Sequence, residues 1–250
     1  MRFVERHPYW FVAILEIIVI VVYLMAGTIA AVAHLSNQAI TGMANSTLSV
    51  LVVGALSALG WWRAVGFTRP AQPHHLFFFL PLFLPVLINL GVGLNIPSPT
   101  RCVELLAIAC LIGFAEEAIF RGLMLNALKA RGHWQATVIT ALLFGLSHAL
   151  NLLSGKSGTA ILIQIAYALA IGFAFAALVL KNGILWPLVI AHTLIDFTGF
   201  IGGPAIPAAW NAIAGVALTC MFMWYGLYIM RQKGAEPILR ADERVARSLH

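Results

Sequence analysis

The stretch FAEEAIFRGLML, residues Phe114–Leu125, decides the fold, because it places Glu116, Glu117 and Arg121 inside an apolar run. Each ionised residue at the centre of a membrane helix costs about 2.5–3.5 kcal/mol on insertion scales. Glu117 and Arg121 are four positions apart, so in a helix they lie on one face and can neutralise each other. Glu116 is rotated by about 100° and has no such partner on its own helix. We therefore expect one local ion pair, and one carboxylate whose partners come from other helices.

The whole chain is too apolar to form the surface of a soluble domain. Of its 250 residues, 61% are hydrophobic and 10% are charged, whereas soluble domains carry about 25% charged residues. The net charge of +6 would suggest nucleic acid in a soluble protein. Here most basic residues flank apolar runs, and no aromatic-plus-basic motif accompanies them. We expect the lipid bilayer as the main surrounding of the chain, and no nucleic-acid partner.

Apolar runs of about 20 residues predict about eight membrane-spanning helices. The predicted spans are 9–35, 46–66, 76–96, 102–128, 134–153, 158–180, 184–201 and 205–230. Gly, Pro, polar or basic residues separate them, as in SNQAITGMANS between the first two. Pro81 and Pro85 predict a kink in the third span. The sequence thus predicts an all-α polytopic membrane protein, with a transmembrane domain over residues 1–230 and a basic tail over 231–250.

The basic residues predict the orientation of the chain in the membrane. An even number of spans returns both termini to one side, where 12 Lys and Arg residues lie, against Arg101 and Lys156 on the other side. By the positive-inside rule both termini are expected in the cytoplasm. The first span lacks a small-residue cleavage site, so we expect a retained helix rather than a signal peptide. The tail is expected to be either an interfacial helix or a solvated segment. The short loops favour a bacterial plasma membrane.

Two later spans contain ionisable side chains that could meet Glu116. FGLSHALN in the fifth predicted span contains His148, and HTLIDF in the seventh contains His192 and Asp196, four positions apart on one helix face. A desolvated carboxylate is a stronger base than one in water. Histidines can hold a metal that acidifies water, or can stabilise an oxyanion. The set predicts hydrolysis, although the H-E-x-x-H and G-x-S-x-G motifs are absent from the sequence.

These residues form three motifs that together resemble the CPBP family of intramembrane proteases. That family includes the CAAX prenyl endopeptidases and the bacterial Abi-type bacteriocin-processing and self-immunity proteins. The motifs E-E-x-x-x-R, F-x-x-x-H and H-x-x-x-N/D are here Glu116, Glu117 and Arg121, then Phe144 and His148, then His192 and Asp196. Their order and spacing match over residues of about 100–200, and the eight-helix layout also fits the family.

The resemblance implies a role for each motif residue. Glu116 would activate a water molecule, and His148 would help to hold that water or a metal ion. His192 and the residue at position 196 would assist at the metal or at the oxyanion. The remaining motif residues would shape the site: Glu117, Arg121 and Phe144.

Position 196 departs from the CAAX enzymes, which have asparagine where this chain has Asp196. Asparagine can donate a hydrogen bond to an oxyanion, whereas ionised aspartate cannot. Asp196 therefore fits better as a metal ligand or as the residue that orients His192. This makes a divalent metal, with zinc as the first expectation, a candidate cofactor. Its possible ligands would be His148, His192, Asp196 and Glu116.

The predicted function is that of an intramembrane endopeptidase that hydrolyses a membrane-associated, leader or prenylated peptide near the cytoplasmic membrane face. Two alternatives stay open. Glu, His and Asp side chains also build the proton relays of membrane transporters, although no internal repeat is visible. The other alternative is a catalytically silent immunity or scaffold protein of the same family. The presence of all three residues, Glu116, His148 and His192, argues against it.

Overall fold

The computed structural model describes residues 3–70, 73–154, 158–203 and 207–232. Their α-helices are, in chain order, α1 (Phe3–Arg6), α2 (Pro8–Val32), α3 (Asn37–Leu59), α4 (Leu84–Val92), α5 (Pro99–Glu117), α6 (Leu125–Leu128), α7 (His133–Ser147), α8 (Gly158–Asn182), α9 (Trp186–Phe200) and α10 (Ala208–Arg231). Tighter 3-10 turns form Pro73–Phe83, Lys129–Arg131 and His148–Ser154, and a π-helix forms Ala118–Met124. The described ranges contain no β-strand beyond one isolated bridge, so the predicted all-α class is confirmed.

Six helices of the described ranges are long and apolar enough to cross a membrane. They are Pro8–Val32, Asn37–Leu59, His74–Val92, His133–Leu152, Gly158–Asn182 and Ala209–Arg231. The fourth and seventh predicted spans are also helical but are not among these six. The fourth contains the charged residues, and the seventh, α9, has only 15 residues. The number of about eight spans stays a prediction, and most of the predicted tail lies outside the described residues.

The outer surface of the bundle is apolar, as expected for a protein surrounded by lipid. Large hydrophobic side chains are exposed along α2, and Ile17 and Met25 are each 59% exposed. Exposed Trp134, Trp186 and Trp210 add to this surface. Soluble monomers rarely expose contiguous apolar patches of more than a few hundred Å². The long apolar helices and this surface identify an integral membrane protein.

Helix α3 corrects one sequence prediction. SNQAITGMANS was predicted to be a turn, but α3 begins at Asn37, directly after Ser36. The Ser36 side chain accepts a hydrogen bond from the Ala39 backbone nitrogen at 3.3 Å, which caps the helix. The helix ends at Gly60, whose φ of 67° suits a glycine. The polar residues of this stretch were mistaken for a loop because a capped helix end has the same composition.

The third predicted span changes its helix type at the prolines. Pro81 lies inside the 3-10 segment, and Pro85 lies in the first turn of α4. Eleven residues of 3-10 helix is long for this geometry, which seldom exceeds four residues. The side chain of Asn89 on α4 donates to the Thr198 hydroxyl of α9 at 3.0 Å. This bond fixes the third span against the helix that contains His192.

The fourth predicted span is helical without interruption from Pro99 to Leu128, but it includes the π-helix Ala118–Met124. Every residue of that π-helix is buried. The π-helix begins directly after Glu117 and contains Arg121. Such segments are rare, and they occur frequently at functional sites. The helix changes geometry where the sequence places its ionisable residues.

The core of the bundle lies around α8, which is the most buried of the six long apolar helices. α8 packs against α7 and α10, and α5 packs against α9 and α3. Residues of the π-helix, α7, α8 and α9 share one hydrophobic cluster. The three predicted motifs therefore lie on helices that meet in the core.

Candidate active site

Helices α5 and α9 approach each other closely at Gly113. A Cβ atom at this position would lie 2.7 Å from the Thr193 hydroxyl oxygen and 3.0 Å from the Thr193 backbone nitrogen. Only glycine leaves room for a contact of this kind. Glu116 and Glu117 follow within one helical turn, and His192 precedes Thr193. The glycine contact therefore brings both glutamates next to His192.

One oxygen of Glu117 binds two partners at the centre of the site. Its Oε1 lies 3.0 Å from Nη1 of Arg121 and 2.7 Å from Nδ1 of His192. The side chains of Glu117 and Arg121 are both 0% exposed. The predicted ion pair at i and i+4 is present, and it has a second task that the sequence did not indicate. Glu117 fixes the ring orientation of His192 through Nδ1, so Nε2 is the nitrogen that faces the rest of the site.

The Arg121 guanidinium lies among aromatic rings. Its Cζ atom is 3.9 Å from the ring centroid of Phe144 and 5.3 Å from that of Phe175. Arginine interacts favourably with ring faces at such distances. At Gly172 of α8, a Cβ atom would lie 2.8 Å from Nη2 of Arg121 and 2.9 Å from Cδ1 of Phe144. We call Glu117 and Arg121 the back pair; Phe144, Phe175 and Gly172 enclose it.

The site residues predicted from the sequence did not include Gly113, Gly172 or Phe175. A signal for Gly172 exists, because ALAIGFAFAA in α8 is a run of small residues around one glycine. Small residues in membrane helices mark places where two helices approach closely. The pattern indicates close packing, but it does not show that the neighbour is an arginine.

Three partly exposed side chains form the opposite side of the site, which we call the front edge: Glu116, His192 and Asp196. Nε2 of His192 lies 3.7 Å from Oε2 of Glu116 and 3.7 Å from Oδ2 of Asp196. The three side chains are 17%, 12% and 25% exposed. Within the described residues, Oε2 of Glu116 has no hydrogen-bond partner. These separations exceed a direct hydrogen bond, and contacts of this length are often bridged by a water molecule.

His148 is joined to the front edge through Phe144. It is the first residue of the 3-10 segment that follows α7, and its Nδ1 lies 2.8 Å from the Phe144 carbonyl oxygen. The ring centroids of His148 and Phe144 are 4.9 Å apart, and those of Phe144 and His192 are 6.1 Å apart. Both predicted histidines therefore contact the same aromatic ring. The structure brings all three motifs into one site.

The geometry does not form a metal site. In the described part of the chain, no group of three or more His, Cys, Asp or Glu side chains is arranged to hold a metal ion. The sequence had named four candidates: Glu116, His148, His192 and Asp196. Side chains can also activate water for hydrolysis without a metal ion. The zinc expectation stays a prediction.

Residues 98–198 match the family model described as type II CAAX prenyl endopeptidase, Rce1-like. The match includes all three motifs and confirms the family resemblance. No curated protein and no solved structure matches the chain significantly.

Proposed function

Since residues 98–198 match the family model of type II CAAX prenyl endopeptidases, Rce1-like, we propose that the chain is an intramembrane endopeptidase in which Glu116 activates water. The supporting observation is the front edge. Oε2 of Glu116, which has no hydrogen-bond partner among the described residues, lies 3.7 Å from Nε2 of His192 at the partly exposed side of the site. A carboxylate in this position can accept a proton from a water molecule held between the two side chains.

The reaction is a hydrolysis with water as the second reactant. Glu116 takes one proton from the water while the water oxygen bonds to the peptide carbonyl carbon. The negative charge that develops on the carbonyl oxygen needs hydrogen-bond donors. The carbon–nitrogen bond then breaks, and the proton on Glu116 passes to the leaving amine. The products are a peptide with a new carboxyl group and a peptide with a new amino group.

His192 acts at the oxyanion in this scheme. The bond of 2.7 Å between its Nδ1 and Glu117 holds the ring in one orientation, and a protonated Nε2 donates to the developing charge. Oδ2 of Asp196, at 3.7 Å from Nε2, helps to orient the same ring. The family resemblance gives His148 the task of helping to hold the attacking water, and its ring lies beside that of Phe144, the neighbour of His192. Arg121 offsets the charge of Glu117 and does not touch the substrate.

The proposed substrate is a membrane-associated peptide. The family name indicates C-terminal CAAX peptides with a prenyl chain, and the sequence also allowed leader peptides. Either kind places an apolar group in the bilayer and a polar peptide bond near its surface. The polar front edge inside an apolar bundle suits a substrate that arrives from the membrane.

Cleavage assays on the purified protein in liposomes test the proposal. Farnesylated CAAX peptides and unprenylated leader peptides are the probes, and mass spectrometry identifies the products. Glu116→Gln is expected to abolish cleavage, because an amide cannot accept the proton. Glu104→Gln is the matched control: it lies on the same helix, is 54% exposed and pairs with Arg101 at 2.9 Å. Full activity of Glu116→Gln would disprove the role of this carboxylate.

The same preparation separates the alternatives. Flux driven by a pH gradient without cleavage of any probe would support a transporter. Cellular phenotypes that survive replacement of the motif residues would support a catalytically silent protein. Metal analysis of the wild type beside His192→Ala tests the zinc prediction, since a ligand replacement would remove bound metal. Active protein without metal would support the route through Glu116 alone.

A further inference from the structure

Phe175 of α8 lies outside the three motifs, yet its ring contacts both partners of Glu117. The Cζ atom of Arg121 lies 5.3 Å from the ring centroid of Phe175. The ring centroids of Phe175 and His192 are 6.4 Å apart, and the two ring planes make an angle of 74°. Edge-to-face ring pairs at such distances are favourable, and so is an arginine near a ring face. One buried side chain of α8, only 1% exposed, therefore contacts the back pair and the proposed oxyanion donor together.

The hydrogen bonds of the back pair do not by themselves fix the direction of these groups. Arg121 and His192 are both bonded to the same atom, Oε1 of Glu117. Within the described residues, Oε2 of Glu117 and the Nε and Nη2 atoms of Arg121 have no hydrogen-bond partner. Donors can approach such an oxygen from a broad range of directions, so groups joined at one oxygen can turn about it. Their orientation must therefore come from packing.

Two aromatic rings supply this packing. Phe144 contacts the same two groups as Phe175: its ring centroid lies 3.9 Å from Cζ of Arg121 and 6.1 Å from the ring centroid of His192. The two rings come from α7 and α8, which pack against each other. Gly172 lies three positions before Phe175, on the same face of α8, and a Cβ there would lie 2.8 Å from Nη2 of Arg121. This face of α8 thus leaves room for the guanidinium at Gly172 and packs a ring against it at Phe175.

We infer, on the basis of the proposed function, that Phe175 is a positioning residue of the hydrolysis: its ring confines Arg121 and His192, so that Nε2 of His192 stays directed at the front edge. The Glu117 carboxylate, paired with Arg121, accepts hydrogen bonds, so Nδ1 of His192 carries the proton of their bond. A turn of the His192 ring would break this bond of 2.7 Å. It would also move Nε2 from its place 3.7 Å from Oε2 of Glu116.

The first test is the kinetics of Phe175→Leu, which removes the ring and keeps an apolar side chain. A reacting group misplaced by about 1 Å can cost about 100-fold in rate, so we expect kcat to fall by at least about tenfold. The assay uses liposomes and the prenylated or leader peptide that the wild type cleaves. KM should stay within about twofold of the wild-type value, because the buried ring does not meet the substrate. If Phe175→Leu does not fold, Phe175→Met, which fills more of the space without a ring, is measured in its place.

Phe173→Leu is the matched control. Phe173 is also on α8 and is 4% exposed, but it is rotated by about 200° from Phe175. Its ring centroid lies 6.1 Å from that of Trp134. Both variants lose the same atoms from a buried position, so their unfolding midpoints are expected to fall alike. Only Phe175→Leu is expected to lower kcat, a difference that a merely structural role would not produce.

NMR of the protein with 15N-labelled histidine rings, in detergent micelles, gives a second readout that needs no substrate. The Nδ1 proton signal of His192, assigned by its absence in His192→Gln, is expected to be lost or broadened in Phe175→Leu and kept in Phe173→Leu. Wild-type kcat or a wild-type His192 signal in Phe175→Leu would overturn the inference, and so would an equal loss of kcat in both variants. No cleavage by the wild type would instead overturn the proposed function, on which the His192 signal does not depend.

Discussion

The back pair and the front edge differ in how their charges are satisfied, although residues 116 and 117 are neighbours in the chain. Glu117 is 0% exposed and shares one oxygen between Arg121 and His192. Glu116 is 17% exposed, and its nearest charged partner is Nε2 of His192, 3.7 Å from Oε2. A carboxylate bonded to two partners in the core cannot reach a substrate, whereas a partly exposed one at a longer distance from its partner can accept a proton. The helix thus directs Glu117 into the protein core and Glu116 towards the partly exposed front edge.

The largest expected effect on stability comes from breaking the back pair. Arg121→Met leaves the Glu117 carboxylate buried with His192 as its remaining partner, and removal of one partner of a buried pair typically lowers the free energy of unfolding by about 3–5 kcal/mol. The quantity to measure is the unfolding midpoint in mixed detergent micelles, compared with the wild type. A change of less than about 1 kcal/mol would mean that the pair does not support the fold.

Arg101→Met is the matched control for this prediction. Arg101 pairs with Glu104 on the same helix at 2.9 Å, but the two side chains are 37% and 54% exposed. Exposed pairs contribute at most about 1 kcal/mol. A second variant sharpens the comparison: Glu117→Leu added to Arg121→Met removes the stranded charge, and it is expected to recover part of the lost stability.

The next effect concerns the glycine contact that positions the front edge. Gly113→Ala forces α9 away from α5, because the new Cβ would lie 2.7 Å from the Thr193 hydroxyl oxygen. Overpacking of this kind lowers stability by about 1–3 kcal/mol. Because the bond between Glu117 and His192 depends on the same contact, kcat is expected to fall as well. Unfolding midpoint and cleavage rate are measured together.

Gly54→Ala provides the control, since a Cβ at Gly54 of α3 would meet no atom within 4 Å. Alanine is favoured over glycine in a helix, so this variant is expected to be as stable as the wild type or more stable. If Gly113→Ala behaved like Gly54→Ala in both measurements, the close approach of α5 and α9 would not position the site.

A smaller loss of stability is expected from a substitution at Gly172 of α8, which leaves room for the side chain of Arg121 in the back pair. A Cβ there would lie 2.8 Å from Nη2 of Arg121, which is the far end of a flexible side chain and can shift more easily than backbone. Gly172→Ala is expected to lower the free energy of unfolding by about 1 kcal/mol, at the low end for overpacking. A Cβ at Gly113 would also lie 3.0 Å from two backbone atoms, whereas both atoms within 3 Å of a Cβ at Gly172 belong to side chains. The comparison of the two variants in the same unfolding assay therefore tests whether backbone or side-chain contact is the stricter constraint.

The sequence predicted the ion pair of Glu117 and Arg121 because the helical repeat alone makes positions i and i+4 neighbours. It also predicted that Glu116 needs partners from other helices, because its own helix offers none. In the structure, Nε2 of His192 lies 3.7 Å from Oε2 of Glu116. A charge in an apolar run is costly, so the sequence alone indicates that it needs a partner.

Other features could not be predicted from local pattern. The π-helix after Glu117 places Arg121 between Phe144 and Phe175, which are distant from it in the sequence. The hydrogen bond from Asn45 to Tyr23 joins two helices through residues that are ordinary in either one. The helix start at Asn37 was missed because capping residues and loop residues are the same amino acids. Each of these features is decided by contacts between helices.

Glu116→Gln is expected to have the smallest effect on stability and the largest effect on activity. Oε2 of Glu116 has no hydrogen-bond partner in the described residues, so an amide of the same shape gives up no hydrogen bond at that oxygen. It loses the attraction to His192 at 3.7 Å, and in return no ionised group has to be kept out of water. The free energy of unfolding should therefore change by less than about 0.5 kcal/mol, as for substitutions that break no specific interaction. Cleavage should be lost. An unfolding midpoint that fell as far as that of Arg121→Met would show that Glu116 supports the fold, and the division of the site into back pair and front edge would then be wrong.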